Sequence, residues 1–165
     1  MDPLTQGVVG AIATQAIARP GEHRSAAVLG FVAGTLADLD VLIRSSEDPL
    51  LFLEYHRQFT HSLLFIPVAA AFLALLLHPL RSLRFGAFLR DIDPRRLWLL
   101  LAVAYGTHGL LDACTTYGTS LLWPLSEVRV AWNLVGVVDP GVTLPAVLLM
   151  VVAWRRRSAP WARLA

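Results

Sequence analysis

The sequence predicts an all-α protein, an integral membrane helical bundle with four to five membrane segments and a short interfacial helix. Three observations lead to this class. Hydrophobic residues make up 56% of the 165 positions and charged residues only 16%, which is more apolar than an ordinary soluble domain. The apolar residues are gathered into five long runs. Asp-Pro, a pair that typically starts a helix, stands shortly before four apolar stretches. We therefore expect one membrane-embedded domain over residues 1–165.

Five apolar runs are predicted to be the main helices, at residues 3–18, 26–43, 62–80, 97–114 and 134–154. Three or four of them reach the length of about 20 residues that a membrane crossing needs. The first run is short, about 24 Å as a helix. We expect it to cross, with a tilted or re-entrant segment as the alternative. The pair Asp48-Pro49 predicts an additional short helix over residues 49–57.

The distribution of arginine predicts the orientation of the bundle. All fourteen basic residues are arginines, and with five crossings and an outside N-terminus eleven of them fall on cytoplasmic segments. This split satisfies the positive-inside rule. The three arginines on the outer side are Arg44, Arg57 and Arg129. The formal charge of +2 is too small and too dispersed to indicate nucleic acid as a partner, so membrane lipids are the expected partners.

The most specific local signal is the pair His108 and Asp112, which stand four residues apart in an otherwise apolar run. Residues at this spacing share one face of a helix. Ionisable side chains at membrane depth are costly, so two of them on one face indicate a functional site. A buried hydrogen bond between the histidine and the aspartate, with only a structural role, is the alternative.

Further polar residues fall toward the same side of the membrane under this topology. They are Gln6, Asp38, Asp40, His56, His61 and Asp139. Scattered polar residues would not sort to one side through five alternating segments, so we expect one polar site near the outer interface. Apart from Gln6 and Asp139, these residues are three histidines and three carboxylates, which supply the nitrogen and oxygen ligands that zinc accepts. Manganese or iron are the other candidate metals.

Two of these pairs can bind a metal only where the helix is interrupted. Asp38 and Asp40 do not share a helical face, so both can point to one site only where the helix frays or ends. His56 and His61 lie about 140° apart around a regular helix, so a break must separate them. Thr60 is then expected to be the N-cap of the third segment. Solvated carboxylates and interfacial histidines are the alternatives.

Resemblance to a known family is carried by five motifs, MDPLTQG, LADLDVL, YHRQFTHSLL, HGLLDACTTYGTSLLWP and AWNLVGVVDP, in this order. Together they resemble the bacterial inner-membrane metal-dependent hydrolases typified by the YdjM proteins. The resemblance implies a membrane hydrolase whose metal ligands are Asp38, Asp40, His56, His61, His108 and Asp112. A more distant similarity is to zinc-dependent phospholipase C and the single-strand nucleases of its fold, which share the order of histidines and aspartates.

The chain departs from the family pattern at two positions. The family typically has MDPLTH and LPDLD, whereas this chain has Gln6 and Ala37. Loss of the histidine predicts that one ligand, and with it one metal of a multinuclear site, is missing or weakened. The glutamine carbonyl can still bind a metal weakly or hold a water molecule. Ala37 removes a helix-stopping proline.

These observations predict a hydrolase in which metal-activated water attacks an ester or phosphoester bond. Asp38 or Asp139 would be the general base, although a helix N-cap also explains Asp139. A small or lipid-like substrate suits a site at the membrane interface. The alternatives are a transporter whose buried histidines and aspartates relay ions, or a non-catalytic protein tied together by its metal. We expect the protein in the inner membrane, with the site facing the extracytoplasmic side.

Overall fold

A computed structural model of the chain describes residues 1–84 and 86–156. Within these residues the protein is all-helical and has no β-strand, which confirms the predicted class. The α-helices are α1 (Pro3–Ile17), α2 (His23–Thr35), α3 (Leu51–Tyr55), α4 (Ile66–Leu77), α5 (Pro94–Ala113) and α6 (Pro140–Arg156). Short 3-10 helices cover Leu36–Leu42, Phe59–His61, Pro79–Ser82 and Ala87–Leu89.

Three of the four Asp-Pro pairs start helices as predicted, at Pro3, Pro94 and Pro140. The carboxylate of Asp2 accepts a hydrogen bond from the backbone N–H of Thr5 (3.0 Å), and Asp93 accepts one from Arg95 (2.9 Å). Asp139 stands before α6 in the same way. Such side chains satisfy N–H groups that the first turn of a helix leaves free. Asp48 precedes α3, which begins at Leu51, inside the range expected for the short helix.

The predicted starts of the third and fifth helices are wrong, because residues at the start of each apolar run form hydrogen bonds with distant backbone. The fifth apolar run begins at residue 134, but α6 begins at Pro140. The N–H of Leu134 instead donates to the carbonyl of Cys114 at the end of α5 (2.8 Å). The third run begins at residue 62, but α4 begins at Ile66, and Thr60 is not its N-cap. Thr60 lies within the 3-10 helix Phe59–His61.

The helices pack so that their opposite ends form two polar layers. At one end, the guanidinium of Arg96 on α5 pairs with Glu22 before α2 (3.1 Å) and donates to the carbonyl of Ile17 at the end of α1. At the other end, the ring of His108 near the C-terminus of α5 lies 2.6 Å from the carbonyl of Gly34 near the end of α2. All the candidate ligands lie in this second layer, as the alternating topology predicts.

Small residues bring α1 and α2 into close backbone contact. A side chain added at Gly30 would collide with the hydroxyl of Thr14 and the carbonyl of Gly10. The Thr14 hydroxyl lies 2.7 Å from the carbonyl of Ala26, across the interface. Small residues with a hydroxyl at the contact are the usual way in which membrane helices associate, because burial of apolar surface gives little gain in lipid.

The outer surface is strongly apolar, while several buried side chains are polar. On α4, Phe72 is 60% exposed and Leu75 is 73% exposed. On α1, by contrast, Gln6 and Gln15 are fully buried. Soluble monomers seldom expose such continuous apolar faces, so this distribution agrees with a protein that is surrounded by lipid.

Helix length supports fewer crossings than the sequence predicted. Among the described residues, one continuous helical segment, His23–Leu42, is long and apolar enough to cross a membrane. A second exists if Leu51–His61 and Ile66–Ser82, which are bent by 87° at a break, are counted as one span. The helices therefore do not establish four to five crossings. Arg157 and Arg163, which belong to the predicted cytoplasmic set, lie outside the described residues.

Candidate metal centre

The two aspartates of the LADLD motif lie where α2 changes to a 3-10 helix. α2 ends at Thr35, and Leu36–Leu42 continues the chain with the tighter turn. This change provides the interruption that the sequence required for Asp38 and Asp40 to lie near one site. It happens although Ala37 replaces the proline of the family pattern. Asp40 is buried, whereas the side chain of Asp38 is 23% exposed.

A break also separates His56 from His61, as the sequence required. α3 ends at Tyr55, and the backbone of Arg57 has a φ angle of 62°, a left-handed conformation that non-glycine residues seldom adopt. The chain then forms the 3-10 helix Phe59–His61. The two imidazole rings end up 6.1 Å apart between centroids. Gly109 on α5 allows the backbone of His61 to lie directly against that helix.

Four side chains present one donor atom each to a common point. They are Asp38, His61, His108 and Asp112. Nε2 of His61 lies 3.4 Å from Oδ1 of Asp38 and 3.2 Å from Oδ2 of Asp112. Nε2 of His108 lies 3.2 Å and 3.6 Å from the same two oxygens. These four atoms are buried, yet none of them makes a hydrogen bond.

The spacing of these four atoms fits a tetrahedral metal ion. The edge of a regular tetrahedron is about 1.6 times the distance from centre to vertex. Bonds from zinc to nitrogen or oxygen of about 2.0–2.2 Å therefore give edges of about 3.3–3.6 Å. Four of the six edges, those from the two histidines to the two aspartates, span 3.2–3.6 Å. All four atoms lie within 4.8 Å of one another. Buried polar atoms without partners are costly, and a divalent cation would satisfy all four together.

The second nitrogen of each histidine is already held by the protein. Nδ1 of His108 lies 2.6 Å from the carbonyl of Gly34, to which it can only donate. Nδ1 of His61 lies 2.9 Å from the hydroxyl of Thr60 and 3.3 Å from Oδ2 of Asp40. The Thr60 hydroxyl donates to that carboxylate (2.7 Å) and so accepts from the imidazole. In its neutral form each ring therefore carries its proton on Nδ1 and offers the lone pair of Nε2, as metal-binding histidines do.

Asp112 is oriented through the oxygen that does not face the centre. Its Oδ1 accepts a hydrogen bond from the amide nitrogen of Gln6 (2.9 Å) and contacts the amino group of Met1. Its Oδ2 faces the two histidines. The first helix thus reaches the centre, and Gln6 lies beside a candidate ligand, with its own Oε1 buried and unpartnered.

A second group of possible ligands comprises Asp38, Asp40 and His56. It differs from the first group because its members largely satisfy one another. Nδ1 of His56 lies 2.7 Å from Oδ1 of Asp40. Oδ2 of Asp40 accepts from the backbone N–H of Arg57 (3.0 Å) as well as from Thr60. All six predicted ligands are therefore brought together, but the unsatisfied donors belong to the first group, and Asp38 is common to both.

Asp139 is the one predicted site residue that lies outside both groups. Its carboxylate accepts a hydrogen bond from the N–H of Gly141 (2.9 Å) at the start of α6. The structure thus gives Asp139 the capping role that was the alternative to catalysis. Its position follows from α6 beginning at residue 140, which leaves the preceding aspartate at the helix end.

Arg57 is a site residue that the sequence reasoning missed. Its Nε lies 3.2 Å from Oδ2 of Asp112, and its side chain is 7% exposed. The signal was present, because Arg57 is the charged residue between the two histidines of YHRQFTH. The positive-inside rule identifies Arg57 only as one of three arginines on the outer side, and its place beside the site does not follow from that rule. Thr60 was also misplaced, as a helix cap rather than a partner of His61.

Comparison with known proteins gives the family of the chain. Over 154 residues it is 30% identical to inner membrane protein YbcI of Escherichia coli (strain K12), and the alignment covers 78% of this chain and 82% of YbcI. Over 136 residues it is 28% identical to the uncharacterized protein YfhP of Bacillus subtilis (strain 168), and the alignment covers 82% of this chain and 38% of YfhP. No solved structure gives a significant match. The sequence model of one family matches residues 1–165, and the chain therefore belongs to the YdjM inner membrane protein family.

Proposed function

We propose that this inner membrane protein is a metal-dependent hydrolase that uses water to cleave an ester or phosphoester bond. The observation that carries the proposal is the set of four buried, unpartnered donor atoms on Asp38, His61, His108 and Asp112, spaced for one tetrahedral cation. Two nitrogen and two oxygen donors suit zinc, and manganese or iron would also accept them.

The residues of the chain would bind the ion and transfer one proton. A bound divalent cation supplies Lewis-acid activation of water and of the bond under attack. Oδ1 of Asp38 is buried while its side chain is 23% exposed, so the remainder of the side chain, with Oδ2, faces solvent. That oxygen can accept the proton that water loses as its oxygen bonds to the ester centre. The bond to the alcohol then breaks, and the protonated carboxyl of Asp38 gives this proton to the departing alcohol oxygen, which restores the carboxylate.

We also propose four to five membrane crossings, with the centre facing the extracytoplasmic side. The alternating arrangement of helix ends and the distribution of arginine support this orientation. The short helices α1 and α6 would then cross with tilt or in a locally thinned bilayer.

A structural metal site is the second candidate function. Four protein ligands in a tetrahedron are typical of zinc that only stabilises a fold, whereas catalytic zinc keeps one position open. The partial exposure of Asp38 is the feature that favours catalysis, because solvent reaches the side chain that supplies one of the four donor atoms. A transporter would also carry buried histidines and aspartates, but it needs no hydrolytic activity.

The experiment combines metal analysis with hydrolysis assays on detergent-purified protein. The parent should contain about one equivalent of a divalent metal and hydrolyse a chromogenic phosphate or carboxylic ester. Asp112→Ala removes one of the four donors, so we expect metal content and activity to fall together. His78→Ala is the matched control, because His78 is exposed at the far end of α4.

Three results would contradict parts of this proposal. Full metal content in Asp112→Ala would remove Asp112 from the ligand set. A parent that holds metal but hydrolyses neither ester, and that loses thermal stability when the metal is chelated, would be a structural metal protein. A parent without bound metal would exclude the metal centre altogether.

A further inference from the structure

The guanidinium of Arg57 is buried beside the candidate centre without hydrogen-bond partners on two of its nitrogens. Nε and Nη1 are both inaccessible to solvent and make no hydrogen bond. Nε lies 3.2 Å from Oδ2 of Asp112, one of the four donor atoms. Asp112 is therefore the ion-pair partner of Nε, whereas Nη1 has no hydrogen-bond partner. A buried polar nitrogen without a hydrogen bond is unfavourable, so a ligand that accepts from Nη1 would remove a cost that the protein alone leaves in place.

The backbone of Arg57 is fixed on both sides, which holds the side chain in this position. Its N–H donates to Oδ2 of Asp40 (3.0 Å). Its carbonyl accepts from the N–H of Ser120 (3.0 Å) and from the hydroxyl of Thr119 (3.1 Å). These bonds maintain the left-handed backbone with its φ angle of 62°. Backbone strain of this kind persists where the surroundings over-determine it, and it is concentrated at binding and active sites.

Two arginines share one aromatic ring at the entrance of the centre. The guanidinium carbon of Arg57 lies 4.7 Å from the ring centroid of Tyr117, and that of Arg129 lies 5.2 Å from the same centroid. Arg129 is exposed and also donates to the carbonyl of His56 (2.8 Å). Stacking leaves the edge of a guanidinium free, and that edge matches the oxygen pairs of phosphate.

The charges of the centre favour an anionic substrate. Asp38 and Asp112 balance the two positive charges of one divalent cation. Asp40 is engaged by His56, Thr60 and the backbone of the loop. Asp40 adds a third negative charge, so these three aspartates, one divalent cation, Arg57 and Arg129 together leave one net positive charge for a ligand to match. A phosphate ester carries negative charge before the reaction begins.

We propose that Arg57 is the phosphate-binding residue of this centre and that the substrate is a phosphate ester. This inference rests on the proposed function, because it assigns a substrate class to the same centre. A neutral carboxylic ester would leave Nη1 of Arg57 without an anionic acceptor when it binds, because Asp112 pairs with Nε. A phosphate ester would accept hydrogen bonds from the guanidinium through its non-bridging oxygens. Its phosphorus would then lie beside the four donor atoms.

The test measures binding of inorganic phosphate by calorimetry to zinc-loaded, detergent-solubilised protein from which unbound metal has been dialysed. We expect the parent to bind phosphate and Arg57→Gln to bind it about 10- to 100-fold more weakly, since hydrogen bonds to charged groups are lost. Arg57→Lys keeps the charge without the planar fork and should fall between them. Arg44→Gln, at an exposed arginine outside both ligand groups, should bind like the parent.

Metal content is measured in every variant, so that failure of the anion site and failure of the metal centre are separate results. Equal zinc in all four proteins, with weaker phosphate binding only at position 57, supports the proposal. Equal phosphate affinity in the parent and Arg57→Gln overturns it, as does loss of metal in both position-57 variants, which would make Arg57 structural. Acetate that binds as tightly as phosphate, and with the same dependence on Arg57, also overturns the phosphate assignment.

Two phosphate esters then distinguish a soluble substrate from a lipid. sn-Glycerol 3-phosphate and dihexanoyl phosphatidic acid present the same phosphate group with and without acyl chains. Arg57-dependent binding of either ester supports the proposal. Tighter binding of sn-glycerol 3-phosphate would indicate a soluble substrate, and tighter binding of the phosphatidic acid would indicate a lipid. If phosphate and both esters bind through Arg57 but no ester is hydrolysed, the anion site stands and the hydrolase assignment falls.

Discussion

At the scale of single residues, the centre depends on which atom of each side chain is already occupied. His61 and His108 each have Nδ1 held by protein oxygen and Nε2 left free. Asp112 is held in the same way through Oδ1. Holding the outer atom fixes the tautomer and the direction of the inner atom, so the ligands are oriented before a metal arrives.

Gln6 gives the residue-scale prediction, because the resemblance of its motif to MDPLTH implies a histidine at this position. Its amide nitrogen lies 2.9 Å from Oδ1 of Asp112. Gln6→His would place an imidazole nitrogen near this carboxylate, and imidazole is a better zinc ligand than a carboxamide. Titration of the apo protein with zinc should therefore show higher stoichiometry or tighter binding than in the parent.

Gln15→His is the matched control for that titration. Gln15 is also fully buried on α1, but it lies more than two turns along the helix from Gln6. The same substitution there should leave zinc binding unchanged. Identical titrations for Gln6→His and the parent would mean that Gln6 serves only to orient Asp112.

At the scale of helices, interruptions and close contacts position the ligands. The 3-10 helix after α2 carries both aspartates, and the break at Arg57 turns His61 toward α5. The glycine contact between α1 and α2 then fixes the distance between the helix that carries Gln6 and the one that leads into Asp38. Loss of that contact should lower the free energy of unfolding and shift the ligands of the centre.

Gly30→Ala tests the contact between α1 and α2. The added methyl group would collide with the Thr14 hydroxyl and the Gly10 carbonyl, and backbone cannot yield as a flexible side chain does. Overpacking of this kind costs about 1–3 kcal/mol, so thermal unfolding in detergent should begin at a lower temperature. Gly136→Ala is the control, since the nearest atom to its added carbon is 3.4 Å away. Equal unfolding temperatures for the two variants would show that the helices can separate at little cost.

At the scale of the whole molecule, the helix ends divide the protein into two polar layers with an apolar surface between them. One layer contains the Arg96–Glu22 pair, and the other contains the candidate centre. Under the positive-inside rule, the arginine distribution predicts that the first layer faces the cytoplasm. Which layer faces the cytoplasm decides which compartment supplies the substrate.

Cysteine labelling in intact cells tests this orientation. In a Cys114→Ser background, which removes the single native cysteine, a cysteine at the exposed Ser82 should resist an impermeant maleimide. A cysteine at Ser126, in the connection between α5 and α6, should react. Permeabilised cells, in which both sites should label, provide the control. The opposite pattern in intact cells would invert the topology and place the centre in the cytoplasm.

The sequence predicted the helices well where a local signal exists. The Asp-Pro pairs and the apolar runs gave six helices close to those observed, because an N-cap depends on a few neighbouring residues. The starts of α4 and α6 were wrong where distant backbone decides them, as at Leu134, which bonds to Cys114. Membrane crossings were harder to predict, because composition does not report where a helix bends or ends.

The sequence by itself determined the all-helical class, the family and the six residues that could bind a metal, since these follow from residue types and their spacing. Only the tertiary structure decided how those residues divide. It collected four buried donors without hydrogen bonds from three separate segments, left Asp40 and His56 bonded to each other, and placed Asp139 at the start of α6, outside both ligand groups. It also placed Arg57 against the centre. The physical reason is that ligand geometry depends on contacts between residues far apart in the chain, which no local pattern contains.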